Sequence, residues 1–263
     1  IGGTTAIRQV VRKAISPENL KGTIIALPIA NPLAFQTATY VTPLSDNFDL
    51  NRSFPGDPKG TMTSRLAHQI WQVTKNCQYL IDLHSVPNAM GDGYTVLRPQ
   101  GNSSVDRTSY DLARAVGLPI IVKSHPRTEV RVEEKGRLPN LLSLAGSNGI
   151  PSFMVEMNCW RQLDANSIQA TRRGILNSMK RIGMIDGELE PQRLKIETPV
   201  SRSRMITANE GGLPEFIKQS GAAVKEGETI AHVRNAFGDI VETVKSPIAG
   251  YVLSYPQMES QAV

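Results

Sequence analysis

The feature that most constrains the fold is an alternation of amphipathic segments with short apolar runs. Apolar residues recur at helical spacing in five segments, at residues 4–14, 63–74, 110–116, 138–147 and 166–182. Between them lie apolar runs rich in β-branched residues, at 22–30, 79–84, 118–122 and 149–156. Helices that alternate with buried strands predict an α/β domain with a largely parallel central sheet.

The pattern changes after Gly187. Pro191 and Pro199 punctuate a polar stretch, and from Leu194 onward short strand-like runs alternate with turns that contain Gly or Pro. We therefore predict two domains: an α/β domain over residues 1–190 and a small β-rich domain over residues 194–263.

Composition and charge exclude several classes of function. There is no run of about 18 apolar residues, so we expect no membrane span. The N-terminal residues lack a secretory apolar region. The net charge is +5, but Lys and Arg are spread along the chain, so nucleic acid is not an expected partner. Cys77 and Cys159 form no CxxC pair, so we expect neither a disulfide framework nor a structural zinc site, and a cytoplasmic location. Assembly into a homo-oligomer stays open.

The polar loop from Asp46 to Gly56 contains one arginine and closes in a Phe-Pro-Gly turn. The planar guanidinium of Arg52 suits bidentate binding of a carboxylate, and Asn51 beside it can donate to the same anion. The alternative is that Asp49 and Arg52 pair with each other and hold a long loop together. The residues alone leave both interpretations open.

His84 ends the apolar run at 79–84, at the edge where open α/β sheets place their ligands. A neutral imidazole is a common zinc ligand, although a single histidine more often serves as a structural hydrogen-bonding group. Asp82 could hold the ring. We expect its side chain to point to the opposite face of the strand, which makes it a weak candidate for that task.

Glu156 closes the last apolar run, at 149–156. A carboxylate is costly to bury unless it is paired or used. Partial burial raises the pKa of a glutamate, which suits a general base. The alternative is a carboxylate at the rim of the sheet that pairs with an arginine.

Four motifs in order, NPLAF, DLNRSFPG, IDLHS and a strand ending in VEM, resemble the succinylglutamate desuccinylase/aspartoacylase family over about residues 1–187. The resemblance implies a three-layer, zinc-carboxypeptidase-like fold. It also implies a zinc-dependent hydrolase that cleaves the amide bond of an N-acyl amino acid or a related small acylated amine. In that family pattern His84 is a zinc ligand, Glu156 is the general acid and base, and Asn51 and Arg52 bind the substrate carboxylate.

The C-terminal residues 194–263 resemble the small, barrel-sandwich-like β domain that is attached to many members of the family. Such domains are similar to biotinyl and lipoyl carriers. No lysine framed by two methionines is present, so we do not expect a carrier role.

Two features depart from the family pattern. The Gly-x-His-Gly-x-Glu turn, which supplies two zinc ligands, is absent before the first helix, so we expect the remaining His and Glu ligands upstream of Ile1. His68, His125 and His232 are not well placed to replace them. The bulky sequence at 157–160 stands where relatives have a glycine-rich turn, which leaves the acyl group open. A catalytically inactive carboxylate-binding protein on the same fold is the alternative.

Overall fold

The computed structural model describes residues 1–42, 45–123, 139–159, 162–191, 196 and 198–256. His125, Trp160 and the predicted start of the second domain at residue 194 lie outside the described residues. The helices are α1 (Gly2–Gln9), α2 (Pro32–Thr37), α3 (Met62–Thr74), α4 (Ser103–Val116), α5 (Leu141–Ser147) and α6 (Ala165–Arg181). The strands are β1 (Leu80–Ser85), β2 (Tyr94–Leu97), β3 (Ile120–Val122), β4 (Ser152–Met157), β5 (Leu213–Phe216), β6 (Ala223–Val224), β7 (Thr229–Arg234), β8 (Ile240–Lys245) and β9 (Gly250–Tyr251).

The starts of four helices, α3, α4, α5 and α6, are fixed by side-chain caps. In each, the residue before the helix accepts a hydrogen bond from the backbone N–H three residues on, which satisfies a free donor of the first turn. The capping residues are Thr61, Asn102, Asn140 and Asp164. The cap at Asn102 explains why α4 begins at Ser103, seven residues before the amphipathic pattern that predicted it.

The central sheet has four strands in the order β1-β4-β2-β3. Strands β1 and β4 are parallel, β2 and β3 are parallel, and β2 runs antiparallel to β4. Two of the three pairings are therefore parallel, which confirms the predicted mixed and mostly parallel sheet. The register of β1 and β4 places His84 directly beside Glu156.

Helices cover both faces of this sheet. Phe153, Val155 and Met157 of β4 pack in one core with residues of α1, α4 and α6. Met154 packs on the opposite face, in a core that includes Leu142 of α5. Because neighbouring residues of a strand point to opposite faces, the side chain of Glu156 lies on the same face as Met154.

The prediction of a buried strand at residues 22–30 was wrong. This stretch is irregular, and the side chains of Ile25 and Leu27 are 62% and 50% exposed. An apolar, β-branched run forms a strand only beside a neighbour that completes its hydrogen bonds, and none of the described strands pairs with it. Its contact with α1 is instead a hydrogen bond of 2.8 Å from Thr4 Oγ1 to the carbonyl oxygen of Pro28.

The C-terminal strands form two small antiparallel sheets, one of β5, β7 and β8 and one of β6 and β9. Short strands were predicted in this part of the chain, while its separation as a domain from residue 194 stays a prediction. Across the described residues, none of the helices combines the length and apolarity needed to cross a bilayer.

Candidate functional site

His84 and Glu156 lie side by side near the C-terminal ends of the parallel strands β1 and β4. Both point to the face of the sheet opposite the core around Phe153, since Leu83 and Val155 pack in that core. The Oε2 atom of Glu156 is buried and accepts no hydrogen bond from the described residues. A buried carboxylate oxygen of this kind is available to a water molecule or a ligand.

Asp82 holds the ring of His84, contrary to our expectation. Asp82 Oδ2 lies 3.2 Å from His84 Nε2. The expectation was wrong because the two residues are two positions apart, and side chains two apart on a strand share a face. Burial lowers the pKa of His84, but the charge and hydrogen bond of Asp82 raise it more, and with Glu156 and Asp49 they bring it to about 9.

Glu156 is placed where it can hold and release a proton. Burial raises the pKa of its carboxyl group above the ordinary value, while the neighbouring charges of His84 and Lys123 oppose that shift. A glutamate whose pKa is raised toward neutrality is well suited to take up a proton and give it back during one reaction.

The charge of Asp49 acts on His84 and that of Arg52 on Lys123, so the loop that carries Asn51 and Arg52 lies near these strand ends. The carboxylate of Asp49 accepts a hydrogen bond of 2.8 Å from the N–H of Asn51 and so begins a short 3₁₀ turn, Leu50–Arg52. Arg52 Nη1 donates to the carbonyl oxygen of Asn51 at 2.9 Å. Within the described part of the chain, Arg52 forms no ion pair with Asp49. The salt bridge expected if these two residues held the loop together is therefore not formed.

Asp46 attaches this loop to the start of α3. Its two carboxylate oxygens accept hydrogen bonds of 2.7 Å from Thr63 N and 2.6 Å from Thr63 Oγ1. Partial burial tends to raise the pKa of Asp46, but hydrogen bonds from Thr61 and Thr63 outweigh it and lower the pKa to about 2. The ionised Asp46 therefore ties the start of the loop that carries Arg52 to α3.

Replacing Asp46 with asparagine should lower the free energy of unfolding by about 1–3 kcal/mol, because hydrogen bonds to a charged acceptor are lost. The pKa of Asp46 is lower in the folded chain than in the unfolded one, so its contribution is present above about pH 4. It is lost as the pH falls through about 2. Urea unfolding at pH 7 and at pH 2–4 measures both effects.

Asp57→Asn is the matched control in the same part of the chain, because its carboxylate accepts an exposed hydrogen bond from Lys59 N as its single polar contact among the described residues. Equal stability of the two variants at pH 7 would contradict the anchoring role of Asp46.

Two residues of the site were missed by the sequence analysis. Lys123 follows β3, and burial lowers its pKa, as do the charges of Arg98 and Arg52, while Glu156 opposes the shift. Tyr94 begins β2 opposite Glu156 in the register and is buried, which raises its pKa. The signal that could have found Lys123 is its place directly after an apolar run, like that of His84 in β1.

The described residues meet only part of what a catalytic zinc ion needs. Such sites use three protein ligands. Among the described residues, no group of three or more His, Cys, Asp or Glu side chains could hold a metal ion. His84 brings one imidazole to the strand ends. The residues fit one zinc ligand and not a complete set.

Comparison with known families gives a match over most of the chain. The profile described as the succinylglutamate desuccinylase/aspartoacylase catalytic domain matches residues 1–182. One curated relative is the N-alpha-acetyl-L-2,4-diaminobutyric acid deacetylase of Halomonas elongata, 26% identical over 242 residues. That alignment covers 88% of this chain and 66% of the relative, so the chain spans just under two thirds of the relative's length.

Solved structures show the same fold. A succinylglutamate desuccinylase/aspartoacylase from Rhodobacter sphaeroides superposes with a TM-score of 0.80 at 24% identity, over 98% of this chain and 76% of that one. The product-bound ectoine utilization protein EutE (DoeB) from Ruegeria pomeroyi gives a TM-score of 0.79 at 21% identity, over 96% and 76% of the two chains.

Proposed function

Because this chain belongs to the succinylglutamate desuccinylase/aspartoacylase family, we propose that it is a deacylase that hydrolyses the amide bond of an N-acyl amino acid. The observation that carries the proposal is the pair of His84 and Glu156 at adjacent strand ends. The Oε2 atom of Glu156 is buried there and accepts no hydrogen bond from the described residues. The similarity to a deacetylase of an acetylated diamino acid supports the same reaction class.

In this mechanism Glu156 moves one proton twice. Its carboxylate takes a proton from the attacking water as the oxygen adds to the acyl carbon. The carboxylic acid then gives that proton to the amine nitrogen as the C–N bond breaks, which restores the carboxylate. A raised pKa supports both steps, because Glu156 must be basic enough to accept the proton and acidic enough to return it.

Arg52 and Asn51 bind the substrate carboxylate and thereby place the acyl carbon beside Glu156. Arg52 offers a planar pair of N–H donors, and its guanidinium forms no ion pair with Asp46 or Asp49 in the described part of the chain. Arg98 and Lys123 add positive charge near Glu156, which favours an anionic substrate.

Zinc is the cofactor that we propose, with His84 as one ligand. A zinc ion makes water more acidic and polarises a carbonyl group. Since the described residues supply one ligand, the steps above are assigned only to groups of this chain. His84 must be neutral to bind a metal, and Asp82 is placed to fix the orientation of its ring.

Arg52→Lys tests the assignment of substrate binding. The lysine keeps the charge but loses the planar fork, so we expect KM for an N-acyl amino acid to rise about tenfold to a hundredfold. Acetylated 2,4-diaminobutyric acid is the first substrate to assay, with succinylated and other acetylated amino acids beside it. Steady-state kinetics give KM and kcat for each.

The matching substrate control is the same compound with its carboxylate converted to an amide. This analogue already lacks the contact, so it should be a poor substrate of the unmodified protein and lose little more in Arg52→Lys. A loss by the same factor with both substrates would make Arg52 a structural residue of the loop.

A carboxylate-binding protein without catalysis is the second candidate, favoured by the incomplete metal-ligand set among the described residues. It predicts calorimetric binding of N-acyl amino acids that depends on Arg52, with no release of the acyl group at any zinc concentration. Release of the acyl group by the unmodified protein would decide for the deacylase.

A further inference from the structure

The loop that joins β1 to β2, residues 86–93, borders the candidate site on two sides. It begins directly after the strand that carries His84 and ends at Tyr94, which pairs with Glu156 across β2 and β4. Because β4 lies between β1 and β2 in the sheet, this loop must cross over the end of β4. Its position therefore shapes the space above Glu156.

The α/β part of the chain holds this loop at three points. The N–H of Val86 donates to the carbonyl oxygen of Met157 at 3.0 Å. Asn158 Oδ1 accepts a hydrogen bond of 3.1 Å from the N–H of Ala89. Ser167 Oγ donates to the carbonyl oxygen of Asp92 at 2.7 Å. The side-chain amide of Asn88 and the N–H of Met90 have other partners.

The middle of the loop is held by the last described residues of the chain, 252–256, which we name the strap. The N–H of Met90 donates to the carbonyl oxygen of Leu253 at 2.9 Å. The side-chain amide of Asn88 donates to the carbonyl oxygen of Tyr255 at 3.2 Å. Leu253 also packs against the buried cluster that contains Met90.

The strap is itself fixed to the C-terminal strands. The N–H of Val252 donates to the carbonyl oxygen of Ala222 at 3.0 Å, and the N–H of Gly221 donates to the carbonyl oxygen of Val252 at 2.7 Å. The ring of Tyr255 stacks on Phe216 with centroids 4.4 Å apart and an interplanar angle of 30°. Its hydroxyl also lies 2.7 Å from Gln219 Oε1, to which it donates. Next to the strap, Ser220 Oγ donates to the carbonyl oxygen of Ala89 at 3.1 Å.

We infer that the strap is a positioning element of the candidate active site. The strap connects the C-terminal strands to the loop 86–93. It thereby limits the movement of this loop, which follows His84 and leads to Tyr94. The strap residues touch no reacting group in this scheme. The inference rests on the proposed deacylase reaction for its effect on turnover, while its effect on the loop stands independently.

The test weakens the contact between the strap and the loop 86–93 with one variant in each of the two segments. Tyr255→Ala removes the stacking on Phe216 and the hydrogen bond to Gln219. Asn88→Gly removes the amide contact from the loop, and glycine keeps the positive φ of 47° found at this position. In both variants we expect hydrogen exchange in peptides over 86–93 to rise about three- to tenfold. We expect kcat for an N-acyl amino acid to fall about tenfold, with a smaller change in KM.

Two controls separate positioning from general damage. Tyr255→Phe keeps the stacking and should retain most of the loop protection and of kcat. Tyr251→Ala alters a half-exposed tyrosine of β9 outside the strap and should change neither. Unchanged exchange over 86–93 in both Tyr255→Ala and Asn88→Gly would overturn the inference, as would faster exchange with an unchanged kcat. If the unmodified protein deacylates none of the substrates, the proposed function fails, and the exchange data still decide whether the strap holds the loop.

Discussion

Replacing Glu156 with glutamine is expected to lower kcat by about 10²–10⁴-fold and to leave KM close to its original value. The amide has nearly the shape of the carboxyl group but cannot take a proton from water or return one to the leaving amine. The effect belongs near the upper end of this range, because one group carries out both transfers. Steady-state kinetics on the N-acyl amino acid panel measure it.

The pH dependence of kcat gives a second measurement. Since burial raises the pKa of Glu156, the acid limb of the profile should lie above the ordinary pKa of a glutamate and disappear in Glu156→Gln. Glu226→Gln, at an exposed position of the C-terminal part, is the matched control and should behave like the unmodified protein. A Glu156→Gln variant with near-normal kcat would identify Glu156 as a structural carboxylate.

His84→Ala is expected to weaken zinc binding by more than about a hundredfold, since even changes to the groups that orient a metal ligand cost 10–100-fold. Competition against a chromogenic chelator measures this ratio whether the unmodified protein binds tightly or weakly. His232→Ala, in β7, is the control and should leave zinc affinity unchanged. Equal affinities of His84→Ala and the unmodified protein would remove His84 from the metal site.

Zinc affinity should also depend on pH in a defined direction. The pKa of His84 is about 9 without metal, because burial is outweighed by the charge and hydrogen bond of Asp82. A metal ion must displace the proton from His84, so affinity should increase with pH up to about 9 and then level off. In Asp82→Asn, the pH at which zinc affinity levels off should be lower.

The sequence indicated that His84 and Glu156 lie near each other, while their roles stay predictions. His84 and Glu156 each close a continuous apolar strand, and parallel strands bring such ends to one edge of a sheet. The local sequence pattern was therefore enough to predict that the two residues lie close together. The role of Arg52 was predicted from its chemistry alone, and the structure adds that its loop is anchored through Asp46 and Thr63.

What the sequence could not supply was pairing between distant segments. The run at 22–30 has the composition of a strand, but composition does not specify a neighbour, and the segment is irregular. Strand β2 has only four residues between Gly93 and a proline-containing turn, so its periodicity was too short to recognise. The contacts of the strap with the loop 86–93 join residues more than 160 positions apart, which no local pattern reveals.

The order β1-β4-β2 also affects how the chain can fold. Strands β1 and β2 are consecutive in sequence, run in opposite directions and are joined by the short loop 86–93, so they could pair quickly as a local hairpin. The native sheet requires β4, which follows more than 50 residues later, to insert between them. A hairpin of β1 and β2, if it formed first, would have to open before β4 could insert. Its lifetime would set a slow step in refolding, because long-range strand pairing must overcome the entropy of closing the longer loop.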